Sequence, residues 1–152
     1  MTAGLVTDAW SEARRHLDGL PGGGLNIAHE AVDRHVLHGA GSDLALRCIG
    51  LDDSVTGVSY AELSDLTSAF ANILDGLDVA VGDAVFSLLG RGRDIYVVAL
   101  GTLKHRSVFC PLFTAFGPEP IRQRLQLGHG RALVTTAELY ARRVAPLRAD
   151  LP

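Results

Sequence analysis

The sequence predicts an α/β fold: an N-terminal helical arm, a short β-hairpin, then a three-stranded parallel βαβαβ unit. Three observations lead there. Apolar runs of strand length at 84–89, 107–113 and 131–135 alternate with longer segments of helical periodicity. Strands joined by helical crossovers make a parallel sheet covered on both faces, which suits runs that are apolar on both parities. Ahead of them, the runs 44–49 and 55–60 flank the polar turn Asp52-Asp53-Ser54, the pattern of a hairpin.

The elements follow in order. Thr7 is placed to cap a first helix through Leu17, which Pro21-Gly22-Gly23-Gly24 stops. A second helix runs from Asn26 to Leu37 with Ile27, Ala31 and Val32 as its inner face, and Gly39-Ala40-Gly41-Ser42 ends it. Residues 1–42 therefore read as a helical extension and 43–152 as a partial α/β subdomain. After the hairpin, Ser59-Tyr60-Ala61-Glu62 is a capping box, serine accepting from the third helical amide while glutamate reaches back. The helix it opens strings Leu63, Leu66, Phe70, Ile73, Leu74 and Leu77 along one stripe. The three strands then lead into helices at Arg93 to Lys104, Pro118 to Leu127 with proline in the first turn, and Ala137 to Val144 capped by Thr136. Three parallel strands leave open edges, and such a half-unit ordinarily has a second half, so the architecture is expected to be incomplete.

Composition bounds the function. At 152 residues, 47% hydrophobic and net charge -3, the chain can bury one real core and is not a disordered tail. Weak acidity argues against a nucleic-acid partner. Lys104 is the only lysine, so chemistry that needs a lysine has one candidate. Cys48 and Cys110 sit apart in strand-like runs, which is neither a disulfide framework nor a zinc pattern and suits a reducing cytoplasm. No basic stretch precedes an apolar core at the N-terminus. The longest apolar run, 95–103, is too short to span a bilayer. A cytoplasmic protein without a membrane partner is expected.

Several constellations carry possible chemistry. Gly90-Arg91-Gly92 follows a strand and opens a helix, but Ile95 holds the third glycine position of a dinucleotide loop. A tight strand-to-helix turn is the better reading. His29, Glu30, Asp33, His35 and His38 share one helix, yet Asp33 stands where a zincin would have its second histidine. A solvated face explains them more simply. Arg142 and Arg143, with Arg148 beyond, can grip a phosphate or simply be solvated. The default ligand site lies outside the carboxyl ends of the strands, at Gly90-Arg91, Phe113 to Phe116 and Thr135-Thr136.

Three stretches resemble the acetyl-CoA synthetase branch of the AMP-forming acyl-adenylate synthetase family. Residues Leu25 to His35 are similar to its N-x-A-x-x-x-x-D-R-H opening, with Asn26, Ala28, Asp33, Arg34 and His35 in place. Val58-Ser59-Tyr60-Ala61-Glu62-Leu63 is similar to the first core motif, L-[TS]-Y-x-E-L. Leu103 to Leu112 resembles the second, L-K-A-G-x-x-x-x-P-[IL], and Phe113 to Ile121 continues in the same manner. His105-Arg106 replaces the small Ala-Gly pair, which should strain the helix-to-strand passage, and Gly90 replaces a usual proline.

The resemblance implies a truncated acetate-CoA ligase, an incomplete N-terminal portion of that fold. The family joins acetate to ATP as acetyl-AMP, then transfers acetyl to CoA, and uses ATP, Mg and CoA. Its Ser/Thr/Gly-rich phosphate loop, ribose-holding acid and catalytic lysine have no match in these residues, and Lys104 belongs to the second core motif. The chain alone is therefore expected to use no cofactor, to have no catalytic residue and not to form acetyl-AMP. By position, Phe113, Thr114 and Ala115 match one part of the family's CoA surface, and Arg142 and Arg143 match another loosely. Two other readings are a stand-alone CoA- or nucleotide-binding module, and a subunit completing a split synthetase. Expected partners are the rest of the synthetase, a second copy of the chain, or CoA.

Overall fold

The computed structural model describes residues 3–151. Helix α1 spans Ala3–Arg15, so Thr7 lies inside it and does not cap it. Helix α2 is a wide π turn, His29–Asp33, running into an α-helical turn, Arg34–Leu37. Asn26 starts it: its Oδ1 accepts from the Ala28 amide at 2.9 Å while its Nδ2 donates to the Leu103 carbonyl at 2.8 Å. That anchorage turns Ala28 and Val32 inward, one helical turn apart. The expected inner face is corrected accordingly, since Ile27 and Ala31 point to solvent.

Strands β1, Leu44–Ile49, and β2, Val55–Ser59, pair antiparallel as expected, with Ile49 opposite Val55. The Asp52 carboxylate ties the turn by accepting from the Ser54 amide and hydroxyl. Helix α3, Tyr60–Gly76, opens on the predicted capping box, with both reciprocal bonds present between Ser59 and Glu62. Strand β3, Ala84–Leu88, leads to α4, Arg93–Lys104; β4, Val108–Pro111, leads to α5, Pro118–Leu127. Strand β5, Gly130–Thr135, is followed by α6, an α turn Ala137–Leu139, a π turn Tyr140–Val144 and a 3-10 turn Ala145–Asp150. Thr136 caps α6, accepting from the Leu139 amide at 3.2 Å. The sheet order is β4-β3-β5 and both pairings are parallel.

Central β3 divides its side chains between two layers. Val85 packs with Leu74, Val79 and the flanking Phe70 on the α3 side. Phe86 and Leu88 pack with Leu112, Ile121, Leu125, Val144 and Leu147 on the α5 and α6 side. The stripe buried on α3 is Leu63, Thr67, Ala71 and Leu74, which corrects the sequence expectation for Ile73 and Leu77: those are 56% and 61% exposed. Helix α4 packs on that stripe, and it approaches α3 so closely at Gly101 that glycine is needed there to clear Phe70 and the Thr67 carbonyl.

The passage from α4 to β4 resolves the expected strain into two parts. His105 is buried without an unmet ring nitrogen, its Nε2 3.1 Å from Asp75 Oδ1 and its Nδ1 2.7 Å from Ser107 Oγ. Arg106 is where the strain sits, at φ 69°, in the left-handed region that disfavours a side chain. Arg106→Gly is expected to raise stability by about 0.5–1 kcal/mol, the left-handed penalty exceeding glycine's extra unfolded-state entropy. Urea unfolding checks it, with Arg106→Ala as the control that gains nothing.

A candidate site at the carboxyl edge of the sheet

Helices α4 and α5 leave the sheet on opposite faces, so the strand ends of β3 and β5 bound a crevice where the winding reverses. Residues Leu89 to Asp94, Thr136 and the hairpin residues Cys48, Thr56, Gly57 and Val58 line a cavity there of about 510 Å³. Gly92, at φ 153° and ψ -173°, holds a conformation close to the exclusive domain of glycine, so the turn itself requires it. At Gly90 an added Cβ would meet nothing, so no close approach demands glycine there. Arg93 is paired with Asp94 at 3.1 Å and Glu62 is spent in the capping box. Ile95 still occupies the third glycine position of a dinucleotide loop, which leaves this a strand-to-helix turn.

Phe113 stands 64% exposed just past β4, edge-on to Phe116 at 5.8 Å between ring centroids. The Arg124 guanidinium covers Phe116 from 4.3 Å. Thr114 is half-buried and Ala115 exposed in the turn that the Phe116 amide closes onto the Phe113 carbonyl at 2.9 Å. Arg142 is on the surface of α6, ion-paired with Glu138 at 3.0 Å. Arg143 is half-buried, and its Nε is buried without a hydrogen-bond partner. Phe113 follows β4 on one side of β3, whereas Arg142 and Arg143 lie in the π turn of α6, seven and eight residues past the end of β5 on the other side. The groove beside β5 is lined by Tyr140, Val144 and Arg148.

The α2 residues are not a solvated face, which corrects that expectation. Glu30 accepts from the Gly19 amide at 2.7 Å and pairs with Arg34 at 2.9 Å. The Gly19 hydrogen bond holds the Glu30 carboxyl below the usual carboxylate range, against the opposing effect of burial. Asp33 Oδ1 accepts from Lys104 Nζ and from Ser64 Oγ, both at 2.7 Å. Lys104 also donates to Ser68 Oγ at 3.0 Å. His35 stacks on Tyr60 at 4.4 Å, and His38 pairs with Asp18 at 3.1 Å. Among the described residues no group of three or more His, Cys, Asp or Glu could hold a metal. The opening motif thus works here as a joint: Asn26 and Asp33 bind the arm to α3 and α4 across separations that no local pattern reveals. Burial pushes the Cys110 thiol up, as befits an inert cysteine beside the core.

The family described as AMP-binding enzyme has a model that matches residues 33–151. The chain is 32% identical over 136 residues to the acetyl-coenzyme A synthetase of Bacillus subtilis (strain 168), covering 88% of this chain and 23% of that one. It is 29% identical over 147 residues to the acetyl-coenzyme A synthetase of Halorhodospira halophila, covering 95% and 23%. Among solved structures it is similar to an acyl-CoA synthetase of Brucella canis, with TM-score 0.76, 29% identity, and 92% of this chain against 24% of that one. The anthranilate CoA ligase AuaEII shares the fold, with TM-score 0.74 at 20% identity, over 84% of this chain and 23% of that one. The chain spans about a quarter of the length of these relatives. Among the described residues, no helix is long and apolar enough to cross a membrane.

Proposed function

Since the chain belongs to the AMP-binding enzyme family, we propose that it is the N-terminal portion of a cytoplasmic acetate-CoA ligase, the kind that forms acetyl-AMP from acetate and ATP before transferring acetyl to CoA. The observation that carries this reading is 32% identity to an acetyl-coenzyme A synthetase over 88% of the chain. Residues 1–42 act as a helical extension and 43–152 as a partial α/β subdomain. This stretch supplies the sheet and one wall of the crevice, and its partner is the remainder of the synthetase.

The 152 residues do not perform adenylation by themselves. Lys104 closes α4 at the amino end of the sheet, away from the crevice, with its ammonium bound to Asp33. With Lys104 held by Asp33 and no Ser/Thr/Gly-rich phosphate loop in the sequence, the residues present do not make up a site for ATP and Mg. For CoA, Phe113 offers an exposed ring for a base, and Arg143, with Arg142 once a phosphate displaces Glu138 from it, offers guanidinium groups for phosphate. The test is acetate-dependent ATP–pyrophosphate exchange by the purified chain, run beside calorimetric titration with CoA. No exchange is expected, with weak CoA binding that Arg142→Ala reduces at least threefold. Exchange above the acetate-free blank overturns the first claim, and CoA heats equal in the variant overturn the second.

A further inference from the structure

We draw no further inference here: the strongest candidate, the crevice lined by Cys48 and Arg91 at the amino end of α4, belongs to the site already described, and none of the buried polar atoms left without a partner among the described residues, on Ser87, Thr102 and Arg143, lies on a residue that lines it.

Discussion

Gly101→Leu is expected to destabilise the chain by about 3–4 kcal/mol, and Gly101→Ala by about 1–2 kcal/mol. Ordinary helix propensity points the other way, favouring alanine over glycine by about 1 kcal/mol in a helix interior. Geometry decides. A Cβ at position 101 would lie 2.8 Å from Phe70 Cδ1, 2.9 Å from the Thr67 carbonyl oxygen and 3.0 Å from Phe70 Cβ. The carbonyl and the Cβ are fixed to the α3 backbone, so no rotamer change relieves them and the two helices must part. Gly76, at the last turn of α3 where an added Cβ meets nothing, is the control at which alanine gains up to about 1 kcal/mol. Urea midpoints of the three variants check the order, and a stabilising Gly101→Ala would falsify the close approach of α3 and α4.

Lys104→Met is expected to cost about 2–3 kcal/mol, because it strands the Asp33 carboxylate with Ser64 as its one remaining donor. The pair is 18% and 25% exposed, deep enough to keep solvent from replacing the lost ammonium fully. Asp33→Asn, which keeps an acceptor for Ser64, should cost less. The double variant Lys104→Met, Asp33→Leu should cost less than the sum of its single changes, by about 1–2 kcal/mol of coupling. Strict additivity in that cycle would mean the two side chains do not interact.

What the sequence made legible were features with a local cause. The capping box at Ser59, the proline opening α5 and the runs of the three parallel strands each follow from neighbouring residues, and the structure places them as read. Thr67 and Ala71 were not legible as core, because their burial comes from packing beyond their own helix, with Gly101 of α4 facing Thr67. Nor was the joint at Asp33, whose partner lies 71 residues away. Polar residues three and four apart suggested a wet face when several of them were holding the arm to the body. At the carboxyl edge, the sequence placed Gly90-Arg91-Gly92 and Phe113 at strand ends, reading the first as a tight turn and the second, by resemblance, as part of a CoA surface. The place of β3 between β4 and β5 is a matter of strand order, which composition does not encode.

The division of β3 between two layers has a consequence for how the molecule comes apart. Val85 serves one side and Phe86 and Leu88 the other, so neither layer can melt without stripping the same strand of half its burial. The α3 and α5 sides therefore open as one cooperative unit, with amides in both exchanging through a shared global event. The arm obeys a different rule. Its attachment runs through Asn26 and Asp33, the His35–Tyr60 stack and the apolar contact at Val32, so it frays as a separate, cheaper unit while the sheet stays closed.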